Sequence, residues 1–124
     1  MNTQYDICLV SVGDKKTAET ITAGLLKEHL AACVSSVPAI ESSYWWKGHI
    51  ERSQEILLVI KTRRILRENI IQFVKQNHPY KLPETIFMEI SGAPNAYLDW
   101  IGSNTLFTPN VTKDAAATAK REEI

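Results

Sequence analysis

The sequence predicts an α+β sandwich: a four-stranded antiparallel sheet in the order βαββαβ, both helices on one face, closed by a short C-terminal helix. Two observations lead there. Runs rich in β-branched and aromatic residues alternate with runs whose apolar residues recur at helical spacing. Two right-handed crossovers, one in each βαβ half, then put both helices on the same side of one sheet. This is the ferredoxin-like plait.

Tyr5 to Val12 is apolar at nearly every position and reads as a central strand covered on both faces. Gly13-Asp14 breaks it, and Asp14 is placed to cap a helix with Ala18, Ile21, Leu25 and Leu26 as its stripe. Gly24 weakens that helix by about 1 kcal/mol relative to alanine, so something must pack closely against it. A second strand begins at Ala31, is interrupted at Pro38 and resumes through Trp46; proline there marks an edge or a bulge. Gly48 suits a tight turn, and Ile50 to Thr62 returns as the third strand. Both runs exceed the usual strand of about 5–6 residues, which predicts a hairpin whose tip extends past its own sheet. Thr62 can cap the next helix, with Leu66, Ile70, Phe73 and Val74 buried and Ile65 and Ile71 widening the stripe. A strand from Thr85 to Ser91 follows, then a helix from Asn95 to Ile101 with Gly102 as its C-terminal cap. Residues 1–103 form the domain, and 104–124 read as a polar tail.

Composition narrows the function. The 124 residues make one domain with a core of its own. Lysine and arginine number 14 and so do aspartate and glutamate, so no global field draws the chain to nucleic acid or acidic lipid. Ile56 to Ile60 is the longest apolar run, too short for a bilayer, and Met1 to Asp6 does not resemble a signal peptide. Cys8 and Cys33 lie in apolar sequence and read as buried thiols of a reducing cytoplasm. Three or four strands apolar on both faces need cover on the side the helices leave bare, which predicts self-association through that face.

Between the second helix and the last strand lies His78-Pro79-Tyr80-Lys81-Leu82-Pro83-Glu84. Two prolines stiffen it, as suits a connector that holds polar groups in fixed positions. The alternative is an ordinary helix-to-strand turn.

Five spaced fragments together resemble the CutA family of divalent-cation tolerance proteins. They are Leu30-Ala31-Ala32-Cys33-Val34, Tyr44-x-Trp46-x-Gly48-x-Ile50-Glu51, Glu55 with Ile60-Lys61-Thr62, His78-Pro79-Tyr80-x-x-Pro83-Glu84, and Tyr97-Leu98-Asp99-Trp100. The resemblance covers roughly residues 5–102. It implies a ferredoxin-like subunit in a tight homotrimer, built like the PII signalling proteins, with hairpin arms crossing between subunits and a role in copper and divalent-metal tolerance. Where that family binds copper, the ligands resemble a cysteine at the end of the first strand and two successive histidines before Pro-Tyr. Val10, Asn77 and His78 stand at those positions, so His78 alone is left as a metal ligand. The expectation is no obligatory cofactor, with Cu(II) or another divalent cation bound weakly.

Cys33, Lys61, His78, Tyr80 and Glu84 fall at strand ends or beside the connector, where a trimer could gather them, with Trp46, into a ligand-binding cleft. Lys61 and Glu84 could equally be an ion pair fixing the trimer, Cys33 a packing thiol, and Trp45 and Trp46 arm residues buried on a neighbour. Three functions compete. A non-enzymatic binding or regulatory trimer leads. An enzyme acting on a small anion would use Lys61 and Tyr80 as electrophiles with Glu84 or His78 as base. RNA binding requires exposed aromatics on the central strands and a basic face, and the aliphatic third strand with zero net charge opposes it.

Overall fold

A computed structural model describes residues 3–108. Four strands, β1 (Tyr5–Val12), β2 (Cys33–Trp46), β3 (His49–Arg63) and β4 (Ile86–Glu89), form one sheet in the order β2-β3-β1-β4 with every neighbour antiparallel. Helices α1 (Lys15–Lys27) and α2 (Arg67–Asn77) follow the two crossovers, and α3 (Asn95–Ser103) ends the fold. The predicted ferredoxin-like order is the observed one.

Register decides which residues meet the helices. Cys8 lies opposite Ile60 and Val10 opposite Leu58, and residues directly opposite share a face. These four join Val12, Ile21, Leu25, Leu66, Ile70 and Val74 in one core under α1 and α2. Each fully buried aliphatic side chain contributes about 1.5–3 kcal/mol. Gly24 lets the helices approach: a Cβ there would stand 2.2 Å from Cζ of Phe73. Asp14 caps α1 as expected, its carboxylate accepting from the Thr17 N–H at 2.7 Å.

α1 and α2 leave the opposite face open, and α3 meets it at the Tyr5–Arg63 end, where Gly102 approaches both side chains. Leu9 pairs with Val59 on one side and Ile86 on the other, and Ile7 pairs with Met88. Ile86 is 50% exposed, Met88 46% and Val37 42%. A contiguous apolar surface therefore faces outward in the single chain.

The hairpin β2–β3 runs beyond the sheet. β1 pairs with β3 only as far as Val12 opposite Ile56, while β2 and β3 continue together from Ile40 opposite Glu55 to Trp46 opposite His49. Lys47 and Gly48, both at positive φ (50° and 81°), make the two-residue turn. Where the arm leaves the sheet, Pro38 and Ala39 together oppose Ile56 in a bulge, with Ala39 at φ 58°. Pro38 thus bends one long edge strand rather than dividing it.

Five sequence expectations are corrected. Leu26 is 40% exposed, because it lies about 100° around the helix from the buried Leu25. Thr62 does not cap a helix: it is the penultimate residue of β3, its buried hydroxyl donates to the Leu30 carbonyl at 2.6 Å, and a 3₁₀ turn (Arg64–Leu66) leads into α2. Gly102 lies inside α3, whose C-cap is Asn104; it is small because a Cβ would stand 2.5 Å from the Tyr5 hydroxyl. Cys33 is half-exposed rather than buried. The last strand is also shorter than Thr85 to Ser91.

The chain stays tied to the domain past residue 103. His29, at φ 55°, holds the Asn104 carbonyl through Nδ1 (3.1 Å) and accepts from the Leu106 N–H (2.9 Å), while Thr105 is fully buried. The rest of the predicted tail, 109–124, lies outside the described residues.

Candidate functional site

The proline connector folds over the end of β1. Tyr80 donates its backbone N–H to Nδ1 of His78 at 3.2 Å, so that nitrogen is the acceptor and Nε2 carries the proton, given to the Ser11 carbonyl at 2.8 Å. His78 is 7% exposed and braces the loop with both ring nitrogens engaged. Its ring packs on Tyr80 with centroids 4.5 Å apart.

So held, Tyr80 reaches the root of the arm and donates its hydroxyl to Glu55 Oε2 at 2.9 Å. Only glycine fits beneath: a Cβ at Gly13 would lie 2.8 Å from that hydroxyl. Burial, and after it the bond to Glu55, pushes the phenol up to about 12. Glu84 joins from the end of the connector. Burial and then the charge of Glu55 hold its carboxyl above the usual carboxylate range. Glu55 is 6% exposed. Among the described residues no lysine, arginine or histidine pairs with Glu55 or Glu84. One buried and one half-buried carboxylate thus lie at a corner with a partly exposed phenol and, among the described residues, no paired cation.

A second group lies at the other end of the open face. Lys61 opposes Cys33, and its ammonium donates to the Ser35 hydroxyl at 2.9 Å and reaches the Cys33 sulfur at 3.8 Å. Among the described residues it has no carboxylate partner. Lys61 and Glu55 are both on β3, six residues apart, so at ~3.4 Å per residue they are roughly 20 Å from each other. Trp46, 42% exposed, stands at the arm tip and Trp45 beside it is 73% exposed.

One chain therefore joins Tyr80 to His78 and Glu55, with Glu84 within reach of the Glu55 charge, and joins Cys33 to Lys61, but does not bring these groups or Trp46 together. Glu55, the centre of the first group, was absent from the predicted cleft. The signal was available: residues 55, 57, 59 and 61 share one side of a strand, so a glutamate begins a row that Lys61 ends.

Neither group is a self-contained metal centre. Among the described residues no three of His, Cys, Asp and Glu are gathered to hold an ion. Val10 is fully buried in the core, and the Asn77 amide donates to the Phe73 carbonyl at 2.8 Å. The buried thiol, Cys8, is pushed up to about 12 by burial and then by Asp6 and Glu84, which leaves it a packing group. In one chain the Cys33 thiol lies 3.8 Å from the Lys61 amine, while Lys61 and Tyr80, the two electrophiles expected together, do not converge on one point.

Comparison with known proteins agrees with this architecture. The profile for the CutA1 divalent ion tolerance protein matches residues 7–104. Protein CutA 1, chloroplastic, of Oryza sativa subsp. japonica is 40% identical over 99 residues, covering 80% of this chain and 56% of the plant protein. The chain thus spans little more than half of that relative. The divalent-cation tolerance protein CutA of Thermus thermophilus is 38% identical over 100 residues, 81% of this chain and 97% of the relative. Its solved structure superposes with a TM-score of 0.80 over 82% of this chain and 98% of that one, at 38% identity. The crystal structure of CutA1 from Oryza sativa gives 0.83 over 86% and 98%, at 37% identity. With a profile match from β1 to the end of α3 and solved relatives superposing at TM-scores of 0.80 and 0.83, the chain belongs to the CutA1 family of divalent ion tolerance proteins.

Proposed function

We propose that this protein is a binding or regulatory member of its family, non-catalytic, which closes into a homotrimer and takes a divalent metal ion or small ligand at the subunit boundaries. The observation that carries this reading is the uncovered apolar face of Ile7, Leu9, Val59, Ile86 and Met88. Exposed apolar area costs about 25 cal/mol per Å², and only another copy presents a surface of matching character wherever the protein is found. The exposed arm, with Trp45 at its tip, supports contacts that reach across such a boundary.

The donors left for a metal are oxygens, Glu55 and Glu84 with the Tyr80 phenol beside them. They suit a hard divalent cation better than a soft copper site. The ring nitrogens of His78 are taken up by Ser11 and Tyr80, so a metal on His78 would have to release the connector. Both cysteines are free thiols, which supports a reducing compartment.

Native mass spectrometry at micromolar protein, with and without Cu(II), tests the proposal. The expected species is three times the 14.0 kDa chain. A monomer under these conditions would sink the reading. A trimer that binds neither Cu(II) nor Mn(II) by titration calorimetry would leave the assembly and remove the metal.

A further inference from the structure

The open face begins and ends in charges that lack partners of opposite sign among the described residues. Along one side of β3 stand Glu55, Leu57, Val59 and Lys61. The carboxylate at one end is 6% exposed and held only by a phenol. The ammonium at the other end touches a hydroxyl and a thiol. Covering Leu57 and Val59 with a second copy takes both ends out of water at once. A charge buried without an opposite charge costs several kcal/mol, so a covered face must pair them or not form. The chain cannot do it alone, since its own two ends are roughly 20 Å apart.

Symmetry supplies the answer. In a twofold dimer a patch meets its own copy, whereas in a three-membered ring each boundary brings two different patches together. A patch with an acidic end and a basic end can pair its charges in either arrangement; in the ring proposed above, the basic end of one copy meets the acidic end of the next, and every subunit uses both ends. We infer that Lys61 of each subunit inserts between Glu55 and Glu84 of its neighbour and supplies the cation those carboxylates lack. The inference rests on the trimer proposed above and adds the residue that completes its boundary. Tyr80 becomes a positioning residue, fixing Glu55 so that its free oxygen faces the incoming ammonium. A divalent ion settling on Glu55 and Glu84 must first displace that ammonium, so occupancy of the site and closure of the boundary are in competition.

Zero-length carbodiimide coupling of the full chain tests this directly, because it joins an amine to a carboxylate only at ion-pair distance. The expected result is a ladder of covalent dimer and trimer in denaturing gels. Peptide mass spectrometry should find Lys61 bonded to Glu84 or Glu55, a link that the separation within one chain forbids. Lys61→Arg should lose that link, the guanidinium being unreactive, yet keep the trimer's resistance to dilution. Lys61→Met should lose both, raising the concentration at which the trimer dissociates at least tenfold. A trimer in native mass spectrometry that yields neither Lys61 link overturns the pairing and leaves the trimer standing. A monomer overturns the trimer and the pairing together.

Discussion

Removing a single oxygen tests how the connector is attached to the arm. In Tyr80→Phe the ring keeps its packing on His78, and Glu55 loses the hydrogen bond at 2.9 Å that is its one side-chain donor. A hydrogen bond to a charged group contributes about 1.5–3 kcal/mol when its acceptor is buried. Glu55 is buried, but Tyr80 is 40% exposed, so water reaches the phenol side and the lower end of that range applies, about 1.5 kcal/mol. The assay is urea unfolding at one fixed protein concentration, because association would otherwise enter the midpoint. The slope should stay constant while the midpoint falls. Glu55→Met combined with Tyr80→Phe should lose less than the two single losses added, since neither partner is then stranded. The pH dependence carries a second check. The phenol is raised to about 12 in the folded chain and has its ordinary value near 10 in the unfolded one. Its contribution is therefore intact below pH 10 and disappears as pH climbs from 10 towards 12, so the gap between wild type and Tyr80→Phe narrows over that window. A Tyr80→Phe protein within about 0.3 kcal/mol of wild type at pH 7 would refute the attachment.

Three further outcomes follow from the same contacts. Gly24→Ala should lower the melting temperature despite up to about 1 kcal/mol of added helix propensity, because its Cβ falls 2.2 Å from the Phe73 ring and overpacking costs about 1–3 kcal/mol; calorimetry showing stabilisation would mean Phe73 swings away freely. Asp14→Ala should destabilise α1 at neutral pH. The Thr17 N–H holds the Asp14 carboxyl below its ordinary range, so the deficit should persist at mildly acidic pH and close only as pH drops through that lowered value, a trend followed by unfolding curves at stepped pH. Gly102→Ala should cost about 1–3 kcal/mol by pushing away the Tyr5 hydroxyl and the Arg63 guanidinium that donates to the Gly102 carbonyl at 2.8 Å, read as a drop in urea midpoint.

Much of the fold could be read locally because local chemistry decides it. Asp14 caps because its carboxylate needs only the next turn of its own helix, and Lys47-Gly48 turns because two left-handed residues fit the twist of a hairpin. The misreadings occur where a residue's role depends on a distant neighbour. Thr62 has the chemistry of a cap, but the Leu30 carbonyl, thirty-two positions away, claims its hydroxyl first. Gly102 has the identity of a C-terminal cap, yet Tyr5 and Arg63 are what forbid a side chain there. Leu26 adjoins the apolar stripe, but one step of about 100° from the buried Leu25 turns it outward.

The site was half legible for the same reason. Tyr80 and Glu84 are close in sequence, and a connector with two prolines had to hold them somewhere; where depended on a strand that the connector does not adjoin in sequence. The bulge at Pro38 and Ala39 supplies the missing geometry. It stands opposite Ile56, where β1 ends, and the extra residue sharpens the local twist so that the arm leaves the sheet at a new angle. Glu55 is the first β3 residue past that bend, and Tyr80 pins it there. An acidic side chain at a bend is ordinarily a solvated one, but Tyr80 and Glu84 lie beside this one, and together they make a negative corner that no cation among the described residues neutralises. The arm's direction and the corner's charge are therefore set by one local device. A residue that fixes where the arm goes also demands a cation at its root, and that joins the shape of the subunit to its need for a neighbour.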